Sequence, residues 1–576
     1  MNKDVKGGKI SRISFEGSII EDNKKIANHF NDFFINIGHN LAEKIPPSNR
    51  SFVDFLDDRV SDSIFFNPVL EVEVLDLVGK LTNKKSAGHD GLSNFCLKAI
   101  IPEIVKPLTY IFNLSISSGI VPQKMKLAKV VPIFKKGDAL IVSNYRPISL
   151  LTSISKILEK IIHSRTVKFL QEKNVFSDSQ FGFREKHSTS HAILTFLDKV
   201  ARATDNHLHT IGILLDFSKA FDTINHKILL YKLQHFGIRG IALKWFESYL
   251  NKRQQFVSIN DSSSSTKTVG CGVPQGSILG PLLFILYIND FRNSSKALSF
   301  LLFADDSNIF FSHRNPKHLL DTINAELYHV AEWIKTNKLS LNIEKTHFML
   351  FSNSLKNLPG NIIFDGTVLK QVQNTKFLGI IIDEDLSWKP HVNNVCNIIS
   401  RNIGMINKLK HFFPQSTLKS LYYAIIYPYL SYGILAWGYA SKTLIDRILL
   451  LQKKALRIIC NTDYMAHTEP LFLANNILRI NEIYSLQLGI FMFLLNNNKL
   501  PHIFNSMFVR NQHFHNYPTR QARSFHLPKT RTLFANHIFT FAGPKLWNSL
   551  PPSLTQLKNL HSFKRKFKSS LLTTSA

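Results

Sequence analysis

Around residue 305 the chain turns from apolar to acidic and back: the run 298–303, then Ala304-Asp305-Asp306, then Ile309-Phe310. Apolar runs on either side of a short polar break predict a β-hairpin with adjacent carboxylates at its tip. A second strand-like run, 211–215, also ends in a carboxylate, Asp216. One carboxylate closing a strand and a pair on a neighbouring hairpin can hold two Mg²⁺ ions roughly 3.5–4 Å apart for in-line phosphoryl transfer. Plainer readings exist for each part. Asp-Asp is common in β-turns because Asp tolerates turn geometry and hydrogen-bonds its own backbone, and Asp216 could cap a helix starting at Phe217-Ser218.

Composition favours a polyanionic partner. Lys+Arg 70 against Asp+Glu 41 leaves +29, a balance that draws nucleic acid and makes its binding salt-dependent. The excess is uneven: after Glu482 the remaining 94 residues hold 12 Lys/Arg and no carboxylate. Such a block can be only a solvated tail, but Phe525, Phe534, Phe539, Phe541 and Trp547 are interleaved with it, and cation plus stacking surface suits nucleic acid. Four scattered cysteines with no C-x-x-C pair argue against a disulfide framework or zinc knuckle and for a reducing, intracellular setting. The amino terminus shows no apolar signal-peptide core. The uncharged stretch 420–441 is long enough to span a bilayer, but its six tyrosines, Pro428 and Gly433 favour a buried helical pair.

Along the chain, 1–80 reads as a helical extension whose role is not legible, with Ile26, Phe30, Phe33, Phe34 and Ile37 near a helical period. From 81 to 210 short β-like runs and Gly/Pro punctuation alternate, with a helix over 153–169. Residues 211–384 read as a compact α+β unit: the Asp216 strand, a helix, the rigid turn Gly272-Val273-Pro274-Gln275-Gly276, the acidic hairpin, a helix over 316–339 with one apolar face, and strands over 346–352 and 377–383. Beyond 385 the pattern is helical to about 495, and 496–576 is basic and loop-rich.

In order, the chain carries KKSAGHDGL (84–92), IFKKGD (133–138) with NYRPISLL (144–151), QFGFREKHST (180–189), LLDFSKAFDTINH (214–226), GVPQGSILGPLLF (272–284), FADD (303–306), SLNIEKT (340–346) and FLGIIID (377–383). This series resembles the reverse transcriptases of non-LTR retrotransposons, most closely the jockey-like group, and the stretch 517–554 resembles their tail. The resemblance implies a right-hand polymerase with fingers (81–210), palm (211–384, core about 128–383), helical thumb (385–495) and a nucleic-acid-binding tail (496–576). It implies an RNA-directed DNA polymerase that joins deoxynucleotides to a primer 3′-hydroxyl.

Carried over position by position, Asp216, Asp305 and Asp306 form the metal triad for two Mg²⁺, with Mn²⁺ as the alternative ion. Asp306 is the least secure ligand, because neighbours on a strand point oppositely. Phe221 falls where an aromatic ring excludes a 2′-hydroxyl, or is ordinary core. Arg146 matches the triphosphate arginine, whose planar fork meets two phosphate oxygens; Lys135 and Lys136 share that duty or mark a surface turn. Gln275 and Gly276 match the nucleotide-pocket lining. Lys345 matches a general acid for pyrophosphate, or closes a turn. Nucleic-acid contacts are expected at Arg184 and, in the tail, Arg520, Arg523, Lys529 and Arg531. The implied partners are an RNA template, a DNA or RNA primer and deoxynucleoside triphosphates, with no membrane, and the implied location is nuclear.

Elements of this group encode an endonuclease ahead of the polymerase, and 1–80 is too short to contain one. The expectation is therefore a fragment, a degenerate copy, or a chain served by a separate endonuclease. Two other readings compete: a catalytically silent nucleic-acid-binding relic or domesticated protein with the same fold, and an RNA-dependent RNA polymerase. The intact carboxylates speak against the first and Phe221 against the second.

Overall fold

A computed structural model of the protein describes residues 10–513 and 521–574. The chain forms two compact units of mixed α/β structure. The first comprises 1–183, 216–297 and 325–343; the second comprises 184–215, 298–324 and 344–576.

In the first unit Leu127–Phe134 pairs antiparallel with Tyr145–Leu150 and parallel with Arg253–Ile259, and Lys267–Val269 adds antiparallel to the latter. Arg253–Ile259 alternates buried and half-buried residues, the period-two pattern of a sheet with one covered face. The cover is the helix Asn23–Glu43. Ile26, Phe30 and Phe34, spaced at four, share a face and are buried with Val130, Tyr145, Val257 and Ile259. At roughly 1.5–3 kcal/mol per buried large apolar side chain, this segment is part of the unit's core. The Asp22 carboxylate starts the helix by accepting the Lys25 amide at 2.7 Å.

Between 81 and 127, where the sequence suggested short β-like runs, lies a 25-residue helix, Asn94–Ser118. It is capped by Ser93 Oγ on the Cys96 amide, ends at Gly119 with φ +69°, and carries Pro102 and Pro107 inside. The two prolines are what hid it, since each removes a helical donor and normally breaks the pattern.

The second unit is built on a five-stranded sheet in the order Lys370–Gln371, His347–Phe351, His209–Asp216, Asp306–His313, Ser299–Phe303, with the terminal Asp216 of its central strand counted in the first unit. The helix Thr189–Asp205 packs on it through Phe196, whose ring lies 5.1 Å from Phe310 and 5.5 Å from both Phe351 and Phe377. The run 377–383 is not one strand. Leu378 and Gly379 take positive φ and split it into the hairpin Asn374–Phe377 and Ile380–Asp383.

Helices follow, including Lys389–Leu409, Lys442–Ile459 and Ile480–Asn496. Residues 420–441 fall in three short helices rather than a pair, Gln415–Ile425, Tyr427–Ser431 and Ile434–Trp437, and among the described residues no helix is long and apolar enough to cross a membrane. The basic carboxy-terminal stretch is more ordered than its sequence suggested. Phe539–Ser549 and Leu560–Thr574 are helices packed on Ile480–Asn496, with Phe563 stacked 4.8 Å from Phe493 and Phe567 seated against Gly489.

Candidate active site

The acidic hairpin forms as its pattern requires. Phe303 pairs with Asp306, leaving Ala304-Asp305 as a two-residue loop in which Ala304 takes φ +56°. A positive φ at a non-glycine residue is uncommon and recurs at functional turns. Ala304 is buried, whereas Asp305 and Asp306 are exposed.

The neighbouring strand His209–Asp216 runs antiparallel to Asp306–His313, because Thr210 Oγ1 meets Ser312 Oγ at 2.8 Å and Gly212 packs on Phe310. The carboxyl end of that strand and the Asp305 turn therefore lie at the same end of the sheet. On its other side His347 stands opposite Leu214, which puts exposed Lys345 at that end as well. Asp216 is half-buried and its carbonyl accepts the Asn342 amide at 2.8 Å. It caps no helix: Phe217 forms a bridge with Leu341, and the next helix, His226–His235, is capped by Asn225.

The nucleotide-binding candidates all belong to the first unit. Lys135 and Lys136 open the loop between the paired strands and are exposed, as is Arg146, which stands opposite Ile133 in the register. The Gln275 carbonyl accepts the Ser149 amide at 2.8 Å, which aligns the 274–276 turn with the Arg146 strand. Gly276 has φ +120°, and a Cβ there would stand 2.6 Å from the Ser149 carbonyl oxygen. Gly276→Ala should accordingly cost roughly 1–3 kcal/mol of stability; a denaturation midpoint equal to wild type would contradict this geometry. Phe221 is half-buried, stacked 4.6 Å from Phe284 and edge-on to Phe183 at 6.2 Å.

Three residues that sequence reasoning passed over organise these parts. Both Asp222 carboxylate oxygens accept Gln275 Nε2, at 2.8 and 2.9 Å. Lys219 Nζ donates to the Ser143 carbonyl at 3.3 Å and lies over the Phe33 ring. Glu159 Oε2 accepts the amides of Ile278 (2.7 Å) and Leu279 (3.3 Å), holding the start of the helix Leu279–Tyr287. Burial pushes the Glu159 carboxyl up, opposed by Arg253 and these two amides. None of the three pairings joins residues near in sequence.

Of the nucleic-acid candidates, Arg184 is half-buried and Arg523 and Lys529 are exposed, while Arg520 lies outside the described residues. Arg531 has a structural partner: its Nε donates to the Asp205 carbonyl at 3.0 Å and a second nitrogen to Thr204, at the carboxyl end of Thr189–Asp205. A guanidinium there complements the helix dipole.

Among the described residues no three His, Cys, Asp or Glu side chains surround a metal-sized point. The donors at the sheet end are carboxylate oxygens, two of them exposed. Mg²⁺ suits such a set, since it binds through one or two carboxylates, retained water and substrate phosphates rather than an all-protein cage.

Residues 133–382 match the family described as reverse transcriptase (RNA-dependent DNA polymerase). The chain is 28% identical over 453 residues to the RNA-directed DNA polymerase from mobile element jockey of Drosophila melanogaster, covering 75% of this chain and 49% of that one. It is 28% identical over 457 residues to the probable RNA-directed DNA polymerase from transposon BS of the same fly (76% and 49%). A third relative is the Pol polyprotein from type-1 retrotransposable element R1 of Bradysia coprophila, 28% identical over 421 residues (69% and 40%). The chain thus spans about half the length of the first curated relatives it matches. With this matched core and these relatives, the chain is similar to the reverse transcriptases of non-LTR retrotransposons.

Proposed function

We propose that the chain is an RNA-directed DNA polymerase that extends a DNA or RNA primer on an RNA template with deoxynucleoside triphosphates. The observation that carries this reading is the sheet end formed by the Asp305-Asp306 turn, Lys345 and the close of the Asp216 strand, within residues that match the reverse transcriptase family. In right-hand terms the second unit's sheet serves as palm, the first unit's paired strands as fingers, the helices after 385 as thumb, and 496–576 as a nucleic-acid-binding tail.

Asp216, Asp305 and Asp306 would hold two Mg²⁺ ions, or Mn²⁺ in their place, and that pair would supply a lowered pKa at the primer hydroxyl and charge neutralisation for the leaving pyrophosphate. Asp305 and Asp306 supply hard oxygen donors from a turn whose backbone is fixed by the hairpin register. Lys345 supplies a proton to the pyrophosphate. Arg146 meets two phosphate oxygens with its planar fork, assisted by Lys135 and Lys136. Phe221, held flat by Phe284, occupies the space that a 2′-hydroxyl would need. The site of action is nuclear.

The test is extension of a DNA primer on an RNA template by the purified chain with Mg²⁺ and either deoxy- or ribonucleotides. Deoxynucleotide-specific extension supports the reading; a folded protein that binds RNA and extends nothing overturns it in favour of a silent binding protein. Phe221→Val should raise ribonucleotide use relative to deoxynucleotide by on the order of 10²-fold, if removing the clash restores about 2–3 kcal/mol. An unchanged ratio would remove Phe221 from the sugar pocket.

A further inference from the structure

Two long helices of the second unit start beside one cleft. Lys389–Leu409 and Lys442–Ile459 pack along each other. They run the same way: Gln415 Nε2, just past the end of the first, reaches Cys460 Sγ, at the end of the second, at 3.5 Å. Residues 386–389 and 439–441, with Thr443 and Leu444, line a cleft of about 510 Å³, the size of a small-molecule site. Neither helix has an acidic residue in its first turn or a side-chain cap. Ser441 stands in the capping position of the second, but its hydroxyl turns to Thr443 Oγ1 at 3.1 Å. Trp388, in the same position of the first, has no oxygen to cap with. Two positive helix ends thus meet at the cleft, each helix beginning with an exposed lysine, Lys389 or Lys442. The carboxylates nearby are engaged. Asp383 accepts the Ser387 and Trp388 amides at 2.8 and 3.0 Å, and Asp385, with Glu384 beside it, faces Lys356, whose Nζ it holds at 2.8 Å.

The wall of the cleft carries a second, independent feature. Trp388 has φ +63°, an outlier for so bulky a residue, and such backbone persists at ligand clamps and other functional turns. Its indole is 1% exposed and Nε1 has no hydrogen-bond partner. Tyr439 Oη lies beside it but out of bonding geometry, and is likewise buried without a partner. Around Tyr439 the cleft is aromatic. The exposed His537 ring is parallel to the Tyr439 ring within 7°, with centres 6.3 Å apart, and the Phe534 ring centre is 6.0 Å away.

Helix starts recognise phosphate, while aromatic faces with polar groups beside them recognise the face and edge of an unpaired base. We propose that the cleft binds one nucleotide unit, its phosphate at the two helix starts between Lys389 and Lys442 and its base on the Tyr439–His537 face, where the Trp388 and Tyr439 polar atoms serve the base's edge. A free nucleotide and an unpaired residue of an RNA strand offer the same chemistry. The cleft shares no residue with the proposed polymerase reaction, and binding there needs neither metal nor catalysis.

The test irradiates the full chain, without divalent metal, in the presence of 4-thiouridine 5′-monophosphate or of a short single-stranded RNA carrying one 4-thiouridine. Crosslinks are mapped by mass spectrometry over a range of probe concentrations. Saturable crosslinks at Tyr439, Phe534 or His537 are the expected result: from both probes they mark a site open to either source, from RNA alone a site for an RNA strand, and from the mononucleotide alone a site for a free nucleotide. Lys389→Glu and Lys442→Glu should each raise the half-saturating concentration about tenfold, the worth of one charge-assisted hydrogen bond. An acidic residue in the first turn favours a helix, so both variants should melt no lower than wild type, which separates lost binding from lost structure.

Inorganic phosphate should displace either probe from wild type, a readout that needs no variant. Absence of cleft crosslinks from both probes overturns the proposal. So does failure of phosphate to compete, or a half-saturating concentration unchanged in both Glu variants or in 4-thiouridine stripped of its phosphate. Saturable cleft crosslinks in a protein that extends no primer defeat the polymerase reading and leave this inference standing.

Discussion

Replacing Asp305 by alanine is expected to slow primer extension by on the order of 10³-fold, the effect of losing about 4 kcal/mol of charge stabilisation, while leaving the fold intact. The two halves of that expectation have separate origins. Asp305 is exposed, and the turn is defined by the Phe303–Asp306 pairing and by the positive φ of Ala304, not by the Asp305 side chain. Removing the carboxylate therefore takes away an oxygen donor and almost no packing. Asp306 differs, because it begins the outgoing strand and successive side chains on a strand point to opposite faces. Asp306→Ala should be slowed less than Asp305→Ala. Single-turnover extension and a thermal melt, run side by side, check both variants. An Asp305→Ala protein within tenfold of wild type, or one that no longer melts cooperatively, would contradict the assignment.

The hairpin was legible because every cue for it is local: two apolar runs, a short polar break, and acidic residues that suit a turn. The strand ending at Asp216 and the helix Pro316–Thr336, read as 316–339, were visible for the same reason. What escaped the sequence depends on partners far along the chain. The stripe Ile26, Phe30, Phe34 announces an amphipathic helix, but nothing near it says that the face covers strands that begin only at Leu127. The apolar run 281–288 fits strand and helix equally by composition, and Glu159, from 119 residues upstream, supplies acceptors at the start of the helix it becomes. Asp222 reads as one more polar residue in a motif until Gln275, 53 residues on, is placed against it. The carboxylates at the end of the sheet were thus readable and the residues that orient the neighbouring side chains were not, because orientation is a property of tertiary contacts.

The largest stability effect should come from Lys232. Its side chain is fully buried, with Nζ donating to Asp290 Oδ1 and to the Tyr287 carbonyl at 2.6 Å each, and lying 5.1 and 5.2 Å from the Tyr287 and Trp333 ring centres. The second oxygen of Asp290 accepts Trp333 Nε1 at 3.1 Å. Burial pushes the Lys232 ammonium down and the Asp290 carboxyl up, each opposed by the other's charge. Lys232→Met keeps the volume but strands a buried carboxylate, which should cost about 3–5 kcal/mol. Adding Asp290→Leu removes the stranded charge and should recover most of that loss, short of the roughly 1–3 kcal/mol for a Trp333 N–H left without an acceptor. The sign of the pH dependence follows from Asp290. Without Lys232 its folded-state pKa rises further above the unfolded value, so the folded protein takes up a proton as pH falls. The Lys232→Met defect should therefore shrink on acidification and grow as pH rises, while the double variant should not share that slope. Denaturant midpoints of the three proteins across neutral and mildly acidic pH measure it; a pH-independent Lys232→Met defect would mean that Asp290 finds another cation or water when its partner is gone.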